Sequence, residues 1–169
     1  MKIIYLHQYF NTPEMSGGVR SYDVAKHLVD NGHTVEMVTT NRSLSNNSGW
    51  KESNEGGINV YWFSLFYSNQ LGFFKRLKVF FLFAFHAAKK GEKLQGDVVF
   101  ATSTPLTIAI PALYISWKMS IPLVFEVRDL WPDVPIAIGV IKNPIIKYLA
   151  KLLEKYTYKK SKAIIALSD

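Results

Sequence analysis

An α/β fold with a mostly parallel, doubly wound sheet is predicted by three features of this 169-residue sequence. Short apolar, β-branched segments recur along the chain, stretches of helical period separate them, and polar segments follow the carboxyl ends of the apolar ones. The length fits one domain with a real core. A content of 49% hydrophobic and 20% charged residues excludes a disordered or acidic solvating chain.

Residues 2–7 read as a buried strand, and a polar loop leads to a helix over about 19–31 with Tyr22, Ala25, Leu28 and Val29 on one face. Gly32 stands where a glycine closes a helix, and 34–39 is again a strand, which completes a βαβ unit. Residues 41–57 are rich in Asn, Ser and Gly without apolar period and are expected to be a surface loop. A strand over 58–65, a helix over 71–90, a strand over 97–101 and an apolar helix over 106–119 follow. A further strand at 121–127 precedes the polar run 128–133. Asn143-Pro144 is a helix start, with a capping side chain and proline at the first helical position. That helix runs to about Lys159, and 163–167 is a last strand. Strands alternating with helices imply a Rossmann-like sheet with helices on both faces.

Zero cysteines exclude a disulfide framework and thiolate metal sites, and fit a reducing cytoplasm. The four histidines, His7, His27, His33 and His86, have no metal-ligand spacing. The apolar start is too short for a signal-peptide core, so a cytoplasmic protein is expected. A net charge of +7 implies an anionic partner: nucleic acid, membrane or phosphorylated substrate.

In open parallel sheets ligands bind outside the carboxyl ends of the strands, which points to residues 8–18, 40–41, 102–105 and 128–133. Ser16-Gly17-Gly18 precedes a helix, so it reads either as an anion-binding loop at a helix N-terminus or as a tight turn. Glu126, Arg128, Asp129 and Asp133 surround Trp131 where the chain leaves the sheet. They suit a sugar or diphosphate, or else form a local ion pair, Glu126 with Arg128, around an aromatic core anchor. In the helix at 71–90, Lys75, Lys78, His86 and Lys89 share a narrow stripe among apolar residues. Its unbroken apolar run, 79–85, is far short of the roughly 20 residues that span a bilayer. Phe73, Phe74, Lys75, Arg76, Lys78, Phe80 and Phe81 therefore read either as core packing or as contact with an anionic membrane surface.

Several stretches together carry a resemblance: Gly17-Gly18-Val19-Arg20-Ser21, Leu28-Val29-Asp30-Asn31-Gly32-His33 and Val35-Glu36-Met37-Val38-Thr39. They resemble the N-terminal domain of retaining GT-B glycosyltransferases. Phe125-Glu126-Val127-Arg128-Asp129-Leu130-Trp131-Pro132-Asp133 is similar to the branch that builds bacterial O-antigen and capsule repeat units, including N-acetylfucosamine-type transferases. Ser161-Lys162-Ala163-Ile164-Ile165-Ala166-Leu167-Ser168 is similar to the strand that ends this domain's sheet.

The resemblance implies two Rossmann-like domains facing across a cleft, with residues 1–169 as the acceptor-side half and a donor-binding domain beyond this chain. A chain ending directly after a strand, with no two glutamates at the EX7E spacing of the family's second domain, fits that expectation. On the resemblance, Gly17, Gly18 and Arg20 approach the donor diphosphate. Arg128 and Asp129 are the catalytic candidates, and Thr102, Ser103, Thr104, Glu126, Trp131 and Asp133 bind the acceptor. Relatives commonly carry a histidine where Arg128 stands, a departure that leaves the contact to the transferred sugar between Arg128 and Asp129. The resemblance further implies a nucleotide-sugar donor and a polyprenyl-diphosphate-linked saccharide acceptor, met at the inner face of the plasma membrane by a peripherally bound enzyme. No cofactor or metal is expected, because helix dipoles and basic side chains stabilise the departing diphosphate and no DxD pair is present. The alternatives are a standalone nucleotide- or sugar-binding module and a nucleic-acid-binding domain. The second is disfavoured because the aromatics of 71–90 outnumber its charges.

Overall fold

The computed structural model describes residues 1–42, 49–67 and 72–167, apart from the Phe73 side chain. In chain order the elements are β1 (Lys2–Leu6), α1 (Arg20–Asp30), β2 (Thr34–Asn41), β3 (Trp50–Glu55), β4 (Ile58–Ser64), α2 (Phe73–Leu94), β5 (Val98–Thr102), α3 (Ala109–Met119), β6 (Leu123–Val127), α4 (Asp133–Ala137), α5 (Pro144–Lys160) and β7 (Ala163–Ala166). A 3-10 turn, Leu106–Ile108, leads into α3. The strands form one sheet in the order β3-β4-β2-β1-β5-β6-β7, parallel throughout except where β3 runs against β4.

Strand side chains alternate between the two faces of the sheet, so β1 feeds two cores. Ile3 and Tyr5 pack with Val35, Met37 and Val60 beneath the α1 residues Tyr22, Ala25, Leu28 and Val29. Ile4 and Leu6 pack on the opposite face with Phe83 of α2, Ile115 of α3 and Phe125 of β6. Burying side chains such as Phe83, Phe125 and Ile115 contributes about 1.5–3 kcal/mol each. Because α1 lies on one face and α2, α3 and α5 on the other, the winding reverses between β1 and β5. A crevice must open beside their carboxyl ends.

Local signals explain several boundaries. Asn143 Oδ1 accepts from the backbone N–H groups of Ile145 and Ile146, the cap expected ahead of Pro144. Gly32 follows α1 at φ +80°. The expected loop over 41–57 needs correction: Trp50–Glu55 is an edge strand, while 43–48 lie outside the described residues. Gly56 and Gly57, at φ +62° and +94°, form the two-residue turn that returns the chain into β4. The segment lacks apolar period because an edge strand leaves none of its side chains fully buried and half of them in water. At the other edge every residue of β7 is exposed.

Candidate functional site

The crevice is an open cleft of about 390 Å³. Residues from the ends of four parallel strands meet in it: His7, Tyr9 and Asn11 after β1, Arg42 after β2, Thr104 after β5, and Arg128 and Asp129 after β6. Ser16, Gly17 and Gly18 complete it ahead of α1, with Leu167 beyond β7.

Asn11 ties the walls together. Its Nδ2 donates to the Gly18 carbonyl at 3.2 Å, and its Oδ1 accepts from Arg42 Nη2 at 2.6 Å. The first contact explains the glycine beside it: a Cβ on Gly17, at φ +125°, would stand 2.6 Å from Asn11 Nδ2. The helix that follows has Val19 at its N-cap, a residue that supplies no side-chain cap to the amides of its first turn. Arg42 also lies over the Tyr9 ring, 5.6 Å from its centroid.

The electrostatics favour an anion. Among the described residues neither Arg42 nor Arg128 forms an ion pair. Arg128 Nη1 donates to the Ser21 hydroxyl at 3.4 Å, and its backbone N–H donates to Ser103 Oγ at 2.9 Å. His7 is buried and neutral, its pKa held down to about 3 by burial first and then by the charges of Arg128 and Arg42. Burial pushes the Tyr9 hydroxyl well above its ordinary value, and Tyr67 adds to the shift. The cleft's carboxylate, Asp129, accepts at Oδ2 from the Thr104 hydroxyl at 2.7 Å. Thr104 itself sits at φ +120°, a conformation that costs a β-branched residue on the order of 1–3 kcal/mol. Such strain clusters at binding sites.

A buried polar network stands behind the cleft. Glu126, 1% exposed, accepts at Oε1 from Arg20 Nε and Nη2, each at 3.0 Å, and at Oε2 from Thr102 Oγ1 at 2.8 Å. Tyr5 Oη lies 3.1 Å from Thr102 Oγ1, and burial pushes its pKa up to about 12. The expected Glu126–Arg128 pair is therefore corrected. The carboxylate turns toward the first turn of α1, where Arg20 supplies both donors.

The sequence-predicted residues divide accordingly. Gly17, Gly18, Thr104, Arg128 and Asp129 meet in the cleft. Thr102, Ser103 and Glu126 are buried under it, and Arg20 braces them from α1, so none of these four lines the opening. Trp131 lines a separate apolar cavity, and Asp133 pairs with Lys151 at 3.2 Å. His7 and Arg42, which sequence reasoning missed, each fall one residue outside the strand-end segments 8–18 and 40–41. Extending each segment by one position would have found both.

On α2, Phe74, Lys75, Lys78 and Phe81 are exposed, together with Leu82 and Phe85, and Lys89 lies 4.4 Å from the centroid of the Phe85 ring. Arg76 and Phe80 are half-buried, His86 stacks on Phe63, and the Phe73 side chain lies outside the described residues. No helix among the described residues is long and apolar enough to cross a membrane, and no cluster of three metal-ligating side chains occurs among them.

Residues 17–169 match the model of the glycosyl transferase 4-like domain. Solved structures share the fold at 11% identity. The E. coli trehalose-6-phosphate structure bound with UDP-2-fluoro glucose has a TM-score of 0.60 over 97% of this chain and 39% of its own. Sucrose-phosphate synthase from Thermosynechococcus elongatus has a TM-score of 0.59 over 96% and 41%. The α,α-trehalose 6-phosphate synthase of Burkholderia multivorans has 0.59 over 96% and 38%. This chain thus spans about two fifths of those structures and has the Rossmann-like fold of one half of a GT-B enzyme. No curated protein sequence matches it.

Proposed function

The chain belongs to the glycosyl transferase 4-like domain family, and from that premise we propose that it is the acceptor-side half of a two-domain glycosyltransferase. The enzyme moves a sugar from a nucleotide-sugar to a polyprenyl-diphosphate-linked saccharide in bacterial capsule or O-antigen assembly. It works without a metal at the inner face of the plasma membrane, and a second domain holds most of the donor.

One observation carries this reading. Two guanidinium groups without carboxylate partners among the described residues, Arg42 and Arg128, flank the Gly17–Gly18 loop at the start of α1, whose N-cap residue supplies no side-chain cap. A diphosphate satisfies all of these features at once, and each charge-assisted hydrogen bond to it contributes about 1.5–3 kcal/mol. The similar E. coli structure is bound with UDP-2-fluoro glucose, which belongs to the donor class proposed here.

During transfer the bond from the sugar's anomeric carbon to the diphosphate oxygen breaks, and its electron pair leaves with the diphosphate. Arg42 and Arg128 stabilise the charge that develops there, without reorganising, because the fold already holds them in place. Thr104 engages Oδ2 of Asp129, so Oδ1 orients the acceptor hydroxyl, whose oxygen bonds to the anomeric carbon while its proton passes to the departing diphosphate. Arg20, Glu126 and Thr102 position the α1 start from behind. The exposed aromatics and lysines of α2 hold the domain at an anionic bilayer, where a lipid-linked acceptor resides.

The test uses the full-length protein, radiolabelled nucleotide-sugars and lipid-linked saccharides from bacterial membranes. Label is expected in the organic phase, and Arg128→Gln should lower kcat/KM about a hundredfold while circular dichroism is unchanged. Parental activity in that variant, or equal transfer to soluble saccharides, would overturn the reading.

A further inference from the structure

Beside the cleft lies a second cavity, of about 280 Å³, near the lower end of the roughly 300–1,000 Å³ typical of small-molecule sites. It opens between α2, the 3-10 turn and α5, and Leu77, Phe80, Trp131, Ile146, Leu149 and Leu153 give it an apolar lining. Two polar atoms interrupt that lining. Arg76 Nε and Thr107 Oγ1 are buried among the lining residues and have no hydrogen-bond partner among the described residues. Native proteins rarely leave such groups unpaired, so their presence in an apolar hollow points to a ligand that carries oxygen acceptors.

The surroundings narrow the ligand further. Six of the chain's twenty Lys and Arg residues lie on α2 and five on α5, against one glutamate on each helix. The two helices that flank the cavity therefore carry more than the whole net charge of +7. They also expose large apolar residues beside those cations, Phe74 and Phe81 on α2 and Ile145, Tyr148 and Leu152 on α5. An aromatic wall joins this hollow to the cleft, with Tyr9 to Tyr67 at 5.3 Å and Tyr67 to Phe80 at 5.9 Å.

We propose that the cavity seats part of the hydrocarbon chain of a phosphate-bearing membrane lipid, whose phosphate oxygens accept from Arg76 Nε and Thr107 Oγ1. The inference rests on the proposed function and deepens it, because it gives the lipid end of the acceptor a seat next to the reacting end. A soluble apolar ligand would leave the two polar atoms unmet. A free phosphate would leave the apolar lining unused.

The probes are n-alkyl phosphates from hexyl to tetradecyl, kept below their aggregation concentrations. Trp131 fluorescence in the full-length protein is read against Trp131→Phe. Each added methylene should tighten binding about fourfold until the cavity is full, after which the series flattens. Ala150→Trp, which fills the cavity, should abolish binding. Arg76→Gln should weaken alkyl phosphates about tenfold and leave the matching alcohols unchanged. An affinity that climbs through the whole series without a plateau means partition onto a surface and overturns the proposal. So does parental affinity in Ala150→Trp, or equal binding of phosphates and alcohols in the parent. Sugar transfer to lipid-linked acceptor with no alkyl-phosphate binding would sink the cavity and leave the function standing. Saturable alkyl-phosphate binding without transfer would do the reverse.

Discussion

The cleft and the cavity are separated by one peptide bond, since Thr104 faces the first and Pro105 the second, yet they are built by opposite means. The cleft is made of strand ends and loops, so its polar groups are fixed by backbone geometry and by buried charge behind it. The cavity is made of helix sides and a short turn, so its shape is the sum of side-chain volumes. A substitution should therefore be read in the first region by conformation and charge, and in the second by size.

Four measurements test that contrast. The largest effect is expected for Arg20→Met, which strands the buried Glu126 carboxylate and should cost about 3–5 kcal/mol in urea unfolding. A loss under about 1 kcal/mol would mean that water reaches the carboxylate through the half-exposed Arg20 side. Gly17→Ala comes next. It forces a Cβ against Asn11 at a positive φ, so kcat/KM should drop about a hundredfold with modest destabilisation, and an active variant would detach the loop from the chemistry.

Acid stability gives the third. His7 has a folded pKa near 3 against 6.5 when free, so the unfolded chain binds the extra proton. The stabilisation from a neutral imidazole is complete above its unfolded pKa and declines as pH falls toward the folded one. Between about pH 7.5 and 5 the loss should reach about 2 kcal/mol, and His7→Gln should remove that part of the slope. An unchanged slope in the variant would mean the imidazole is not held neutral. The smallest effect belongs to the cavity. Leu149→Ala, on an exposed part of the rim, should cost no more than about 1 kcal/mol and leave transfer to a soluble acceptor untouched. A large loss of that activity would erase the distinction between the two regions.

Much of the fold was legible because it rests on local chemistry. The short apolar run in Lys2–Leu6, the apolar stripe of α1 and the Asn143-Pro144 start each announce themselves within a few residues. Strand β3 was not legible in the same way. Trp50–Glu55 has no apolar period, and its one local signal is the Gly56-Gly57 turn that follows. In the cleft, the glycine loop and the run from Arg128 could be placed by topology alone, because strand ends converge at the reversal of winding. The Arg20–Glu126 pair spans 106 positions of sequence and brings together groups with no local sign of each other. The cavity was illegible for the same reason: α2, the turn and α5 meet only in three dimensions.

The depressed imidazole of His7 has a practical consequence. Burial is the main cause of its low proton affinity, but the charges of Arg128 and Arg42 contribute. An anion seated between those guanidiniums must cancel part of their field and raise the affinity again. Nitrogen-15 chemical shifts of this one ring would then act as an internal voltmeter for the cleft, registering when a ligand arrives and how much charge it carries, with no label on the ligand.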